Sequence, residues 1–273
     1  MSARLPVRKT YKLFIDGEFP RSESGRSYDV DGVRVAQGSR KDLRDAVRAA
    51  RAAQPGWAAK TSYNRGQVVY RIAEVLEGRA AQFAGGDRTE VDAAIDRLVW
   101  YAGWADKIAQ VAGTRNPVAG PFWNVTAPEP VGVVGIVAPE EPPLLGLVSR
   151  LAPALVGGNA LVVLASESRP FAAVDFAEVL ETSDVPGGVV NILTGRTAEL
   201  VPWLAGHLDV DALDVSGVPD DLVADAERLG ADNVKRIVRP HLFSGDERDP
   251  LGESPHDVLA FLEHKTVWHP AGP

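Results

Sequence analysis

The sequence contains no cysteine and only one methionine among its 273 residues. The lack of cysteine excludes disulfide bonds, thiolate metal ligands and a cysteine nucleophile. Basic residues are also in deficit, since 29 Lys and Arg face 37 Asp and Glu, and the formal net charge is −8. Nucleic acids and anionic membranes are usually bound by basic surfaces, so neither is an expected partner.

The sequence also lacks a stretch typical of a membrane span or a targeting signal. Residues 144–165 are mostly apolar, but Arg150, Pro153 and the pair Gly157-Gly158 interrupt them and indicate a helix, a turn and a strand. The first nine residues are partly basic, yet no apolar run follows them, so we expect neither a secretory signal nor a lipid anchor. The expected location is the cytoplasm.

Metal-site and nucleotide-loop motifs are absent as well. Four of the five histidines, His241, His256, His264 and His269, lie near the end of the chain without the spacing of a zinc site. The sequence contains no P-loop, no G-x-S-x-G and no G-x-G-x-x-G motif. We therefore expect no metal.

A regular alternation of strands and helices is present in the second half of the chain. Apolar patterns predict strands at 131–137, 160–165, 189–193 and 212–215, and helices at 142–156, 170–182 and 198–205. This order implies right-handed crossovers and a parallel sheet. The predicted fold class is α/β, a Rossmann-like parallel sheet flanked by helices.

The first half of the chain is predicted to be helical between two hairpins. Amphipathic helices are expected at 41–57, 63–83 and 89–109. Asp16-Gly17 predicts a tight hairpin within residues 12–19, and Gly120-Pro121 predicts a second hairpin before the strand at 131–137. After Pro240, residues 241–256 are typical of a loop or linker, and residues 258–268 of a short helix or strand.

A series of segments resembles motifs of the aldehyde dehydrogenase superfamily, in the family's order, over about three quarters of the chain. These segments are Leu13–Glu18, Ala49–Trp57, Tyr101–Asp106, Gly120–Phe122, Glu129–Gly135, Leu151–Leu155, Gly158-Asn159, Ser166-Glu167 and Pro186–Gly195. The resemblance implies an NAD-binding domain over residues 1–240, with a protruding hairpin arm at about 111–130. It further implies a linker at 241–257 in place of the family's catalytic domain, and a carboxy-terminal oligomerisation segment at 258–273.

The catalytic residues that the resemblance would imply are replaced. Glu141 stands where the family has its oxyanion-stabilising asparagine, Pro240 stands where it has its general-base glutamate, and no cysteine is present. A carboxylate has no donor for an oxyanion, and proline cannot move a proton. We therefore expect no catalytic residue. The alternative role for Glu140 and Glu141 is that of acids in the first turn of a helix.

The cofactor residues implied by the resemblance are partly kept. Ser166 and Glu167 remain of a ribose-binding motif whose lysine is replaced by Leu164, although a lone acid at a strand end, such as Glu167, is more often an exposed loop residue. Gly217 keeps a turn of the phosphate-binding helix, but Pro219 removes an N–H donor at the start of that helix. We expect weak NAD(P) binding or none.

The segments through which family members oligomerise are retained. They are the hairpin at Gly120–Phe122 and the terminal strand Lys265–Trp268, which by family resemblance adds to a neighbouring subunit; the alternative is a strand folded back on its own domain. The expected function is that of a catalytically inactive subunit, a structural or regulatory partner of an active aldehyde dehydrogenase paralogue, or a self-associating one. Two alternatives remain open: a weak nucleotide-binding module, and an enzyme with a replaced mechanism that uses Glu140 or Glu141.

Overall fold

A five-stranded parallel sheet forms the centre of the computed structural model, which describes residues 7, 9–83, 88–239 and 253–271. The strands lie in the order β7-β6-β5-β8-β9. They are β5 (Val133–Val137), β6 (Ala160–Leu164), β7 (Val190–Leu193), β8 (Ala212–Asp214) and β9 (Arg236–Val238). Every residue of β5 and β6 is buried, as expected for central strands covered on both faces. The predicted fold class is confirmed.

Helices cover the two faces of this sheet. One face carries α2 (Ser62–Phe83), α3 (Arg88–Trp104), α5 (Pro143–Val156) and α6 (Phe171–Glu181); the other carries α1 (Arg40–Ala58), α7 (Thr197–Ala205) and α8 (Asp220–Gly230). Alternate residues of one strand enter the two cores, because successive side chains point to opposite faces. In β5, for example, Val134 and Ile136 belong to the first core, whereas Val133 and Val137 belong to the second.

The elements predicted from apolar periodicity are confirmed with small shifts of their ends, apart from the third helix. The predicted helix at 89–109 is divided into α3 and a short α4 (Ile108–Ala112), separated by a turn. The turn at Asp16-Gly17 is also confirmed, since both residues have positive φ and the Ile15 and Glu18 backbones exchange hydrogen bonds of 3.0 Å. Phe14 then bonds to Ile192 and extends the edge of the parallel sheet.

The sequence analysis did not predict the hairpin formed by β1 (Ser27–Val30) and β2 (Val33–Ala36) or strand β9, and it expected helix α8 only from the family resemblance around Gly217 and Pro219. The two hairpin strands have four residues each and alternate only briefly, so their strand signal is short, although Asp31-Gly32 is a hairpin turn sequence. Helix α8 is mostly polar, with two buried residues, Ala226 and Gly230.

A separate three-stranded antiparallel sheet contains the predicted hairpin arm. Its strands are β3 (Thr114–Asn116), β4 (Phe122–Pro130) and β10 (Leu262–Pro270), in the order β10-β4-β3. The terminal strand β10 pairs with β4 of the same chain over nine residues. This is the alternative in which the strand folds back on its own domain, so any addition to a second subunit's sheet would use the outer edge of β10.

Helix α9 (Pro255–Leu259) and the residues after it join this sheet to the core. Val258 and Phe261 are fully buried. The Asn159 side chain accepts a hydrogen bond from the Gly132 amide and donates to the Ala154 and Phe261 carbonyls, at 3.0, 2.9 and 3.1 Å. The Asn of the Gly158-Asn159 motif is therefore a structural clamp.

The described part of the predicted linker 241–257 is not all irregular, because α9 begins within it. Residues 240–252, including Pro240, lie outside the described residues. Among the helices that the structure describes, none has the length and apolar character needed to cross a bilayer.

Candidate functional site

A cleft of about 760 Å³ lies at the carboxyl edge of the parallel sheet. Ligands of open α/β sheets bind at this edge, where loops after the strands meet the amino ends of helices. We refer to it as the edge cleft. It is lined by Tyr28, Asp29, Val30, Asp31, Glu140, Glu167, Ser168, Arg196, Thr197, Ala198, Pro219, Asp221 and Leu222.

Glu140 follows β5 in the chain, and its side chain reaches into the loop that follows β6. Its carboxylate accepts hydrogen bonds from the Ser166 hydroxyl at 2.7 Å, the Glu167 amide at 2.9 Å and the Ser168 amide at 3.0 Å, and it also accepts from the Ser168 hydroxyl. Partial burial alone would raise the pKa of Glu140, but these donors outweigh burial and the pKa lies below its ordinary value. The hydrogen-bond donors of this loop are therefore already bound to a carboxylate of the same chain.

The two predicted ribose-binding residues are brought together, but both are engaged. Ser166 is buried, donates to Glu140 and accepts from the Arg169 amide at 2.9 Å. Glu167 accepts from Arg196 at 2.7 Å and from the Thr197 amide at 2.8 Å, which satisfies an amide at the start of α7. Glu167 does lie in a loop, with its side chain 30% exposed, and its carboxylate caps helix α7.

Gly217 lies beside this cleft, and close packing requires glycine at this position. A Cβ at this position would lie 2.0 Å from the Ala138 carbonyl oxygen, and the Gly217 amide donates to Val137 at 2.9 Å. Helix α8 then begins with Pro219 as its cap residue and with Asp220 and Asp221 in its first turn. Acids complement the positive end of a helix, so they occupy the electrostatic position that a phosphate would use.

A buried ion pair lies at the end of β8. The Arg150 guanidinium of α5 bonds to Asp214 at 2.9 Å, and both side chains are almost fully buried. The second oxygen of Asp214 accepts from the amide and the hydroxyl of Ser216, the residue before Gly217. This network fixes the turn after β8 from inside the protein.

Glu141 does not lie where a first-turn acid would. It precedes α5, its side chain is 55% exposed, and it pairs with Arg169 at 2.6 Å. The amides of Leu144 and Leu145 are instead capped by Glu90 of α3, at 2.7 and 3.0 Å. The expectation that Glu140 and Glu141 stabilise the helix amino terminus is wrong, because a carboxylate from another helix takes that role.

The electrostatics of the edge cleft disfavour a dinucleotide. Five carboxylates line it against one guanidinium, that of Arg196, which also lies 4.8 Å from the centre of the Tyr28 ring. A pyrophosphate placed here would meet like charges and gain few donors. The residues that line the cleft therefore fit a dinucleotide poorly. In the described part of the chain, no group of three or more acids and histidines could hold a metal.

Sequence reasoning missed the contribution of the β1–β2 turn and of Glu140. The turn brings Tyr28, Asp29 and Asp31 to the cleft, and its one available signal was the Asp31-Gly32 pair. Glu140 lies 26 residues before Ser166 in the chain, and only the parallel pairing of β5 and β6 brings the two together.

Comparisons with known proteins agree with this topology. The model of the "Aldehyde dehydrogenase family" matches residues 30–237. Human aldehyde dehydrogenase 1A1 is 32% identical, covering 94% of this chain and 55% of its own length. Omega-crystallin of Enteroctopus dofleini is 30% identical, covering 85% and 51% of the respective chains.

Solved structures give the same result. An aldehyde dehydrogenase from Bacillus cereus in complex with NAD+ superposes with a TM-score of 0.77 at 26% identity, over 85% of this chain and 51% of that one. HpcC from Thermus thermophilus gives a TM-score of 0.79 at 30% identity, over 85% and 48%. The chain thus spans about half the length of the relatives it matches.

Proposed function

Because this chain belongs to the aldehyde dehydrogenase family, we propose that it is a non-catalytic subunit, a structural or regulatory partner of an active aldehyde dehydrogenase in a hetero-oligomer. The observation that carries the proposal is the exposed apolar surface of the three-stranded sheet. We place the subunit in the cytoplasm, in keeping with a relative named "Aldehyde dehydrogenase, cytosolic 1".

The residues that the family's chemical step would need and that this chain lacks support this role. The chain has no thiol to attack an aldehyde, and Glu141, which by family resemblance stands at the position of the amide donor, has a carboxylate bound to Arg169. Between Arg239 and Leu262 the sequence has 22 residues, too few to form a domain with its own core. We propose that this linker stands in place of the family's catalytic domain.

The three-stranded sheet presents apolar side chains on both faces. Trp123, Val125 and Val267 lie on one face and are 46, 45 and 51% exposed. Phe122 and Trp268 lie on the other, 43 and 58% exposed, with their rings 6.0 Å apart. Exposed aromatic groups clustered on one element are typical of a protein contact, because burial of each removes a large apolar area from water.

The edge of the sheet supplies a second means of assembly. Strand β10 is nine residues long and, within the described part of the chain, pairs only with β4, so its outer edge faces no other strand. An edge strand with Thr266, Val267 and Trp268 suits pairing with another chain. The partner that fits is a subunit with the same kind of sheet, either an active paralogue or a second copy.

Co-expression with full-length aldehyde dehydrogenases of the same genome tests the proposal. We expect a complex of defined mass by native mass spectrometry, and its loss in the double variant Trp123→Ser/Val267→Ser. Tyr70→Ser is the control, since Tyr70 is 55% exposed on α2, outside the sheet. A chain that stays monomeric and never co-purifies with any of these enzymes would contradict the proposal.

A weak NAD(P)-binding module is the second candidate. The edge cleft is large enough for part of a nucleotide, and several solved relatives are NAD+ complexes. Calorimetry with NAD and NADP decides this candidate: heat that saturates at millimolar ligand would support it, and no heat at that concentration would remove it.

A further inference from the structure

A second cleft, of about 650 Å³, lies between the amino-terminal segment and the β1–β2 hairpin, and cations line it. Its charged residues are Lys9, Lys12, Arg21, Arg26, Arg34 and a single acid, Asp29. This balance is the reverse of that in the edge cleft and of the net charge of −8 carried by the chain. A local excess of positive charge in an acidic protein attracts anions to that place.

Three of these cations have no partner within the described part of the chain. Lys9 is bound to Asp175 and Glu178, and Arg26 pairs with Glu199. Lys12, Arg21 and Arg34 make neither a hydrogen bond nor an ion pair through their side chains. Asp29 lies opposite Arg34 in the β1–β2 hairpin, but it accepts a hydrogen bond from the Gly32 amide at 2.9 Å, and no described residue forms an ion pair with any of the three cations.

Backbone hydrogen bonds hold the segments that carry these three cations beside one another. Tyr11, next to Lys12, pairs with Val35, next to Arg34. The Leu13 amide donates to the Pro20 carbonyl at 3.2 Å, which brings the residue after Pro20, Arg21, beside Lys12. The residues that carry the charges thus belong to three paired segments rather than to one exposed helix face.

The number of unpaired cations indicates how many negative charges the bound anion should carry. One exposed ion pair strengthens binding by only about fivefold or less, so a monovalent anion gains little here. An anion that meets three cations at once gains from each, and guanidinium groups bind phosphate oxygens in pairs. We propose that this cleft binds a polyphosphate chain, either inorganic or as the triphosphate of a nucleotide. The site is independent of the proposed subunit role.

Calorimetry on the full chain with sodium tripolyphosphate, ATP and orthophosphate tests this site. We expect saturable binding of tripolyphosphate that is at least tenfold tighter than that of orthophosphate and weakens as NaCl is raised. Equal affinity for ATP identifies the phosphate chain as the whole recognition element. Tighter binding of ATP assigns the site to a nucleotide, whose base would contact the apolar wall at Tyr11 and Val33.

Charge variants locate the binding. Arg34→Glu should weaken tripolyphosphate binding at least tenfold and Arg21→Gln about fivefold. Arg48→Glu changes the net charge as Arg34→Glu does but lies exposed on α1, outside the cleft, and should leave binding unchanged. The milder Arg21→Gln variant keeps the test valid if Arg34→Glu does not fold. Absence of binding, or binding that Arg48→Glu weakens as much as Arg34→Glu, would overturn the proposal.

Discussion

The edge cleft and the three-stranded sheet differ in how their side chains are satisfied. In and beneath the cleft, Glu140, Glu167 and Asp214 are each bound by donors of the same chain. On the sheet, Trp123 and Val267 are about half exposed to solvent. Polar groups that are already bound offer little to a ligand, whereas exposed apolar area gains free energy when a partner covers it. The sheet is therefore better suited than the cleft to bind a partner.

The largest expected effect tests whether the polar groups beneath the cleft hold the fold rather than a ligand. Arg150→Met leaves the buried Asp214 carboxylate without its guanidinium, so the free energy of unfolding should fall by about 3–5 kcal/mol. Urea unfolding measures this loss. Arg228→Met, which breaks an exposed pair with Asp225, should cost at most about 0.5 kcal/mol. Equal losses in the two variants would show that the buried pair has no special role.

The second prediction concerns the junction between core and sheet. Asn159→Ala removes three buried hydrogen bonds to Gly132, Ala154 and Phe261, and should lower the free energy of unfolding by about 2–4 kcal/mol. Hydrogen exchange of β10 amides should accelerate as well, because Phe261 directly precedes that strand. Asn64→Ala is the control, since the Asn64 side chain makes no hydrogen bond to any described residue. Unchanged hydrogen exchange of the β10 amides would show that the Asn159 hydrogen bonds do not stabilise the three-stranded sheet.

The third prediction tests the sheet itself. Trp123→Ser/Val267→Ser should weaken assembly by about 2 kcal/mol or more, roughly 30-fold in Kd, if these side chains lie at the centre of the contact. The thermal unfolding midpoint of the isolated subunit should change little, because the replaced side chains are about half exposed. Sedimentation across a concentration series gives the Kd. An unaltered Kd would remove this face of the sheet from the contact.

The smallest expected effect concerns Glu140. Its folded-state pKa is below the ordinary value of 4.5, so its contribution to stability is present above pH 4.5 and is lost as pH falls through the folded-state pKa. Glu140→Gln should therefore cost about 0.5–1 kcal/mol at pH 7, a figure discounted for solvent exposure, and less near pH 3. Unfolding at both pH values measures the difference.

Glu141→Gln is the matched control for this position. Glu141 is exposed and, among the described residues, pairs with Arg169 alone, so its replacement should cost less than about 0.5 kcal/mol at pH 7. If Glu140→Gln raised NAD affinity into the micromolar range without loss of stability, the cleft would be a ligand site blocked by its own carboxylate, and the contrast with the sheet would fail.

The fold could be predicted well because its signals are local. The apolar runs of β5 and β6 and the periodicity of α2 and α5 specify elements without knowledge of their neighbours. The β1–β2 hairpin, with four residues in each strand, carried too short a pattern to be recognised.

The site was less predictable because its contacts join distant parts of the chain. Ser166, Glu167 and Gly217 were identified by resemblance, but the sequence does not show that Glu140 fills the loop or that Glu167 caps α7. It likewise does not show that Gly217 is required by the Ala138 carbonyl. These roles depend on which strand ends meet at one edge, a consequence of tertiary packing.

The hydrogen bond between Thr126 and Thr266 joins residues 140 positions apart. The ribosome therefore makes β4, then the strands and helices of the parallel sheet that follow it, and only afterwards the strand that completes the antiparallel sheet. Contacts of such long range form late, once the intervening chain is compact. Because β10 follows the parallel sheet in the chain, a partner that recognises the paired β4 and β10 would exclude nascent chains that still lack β10.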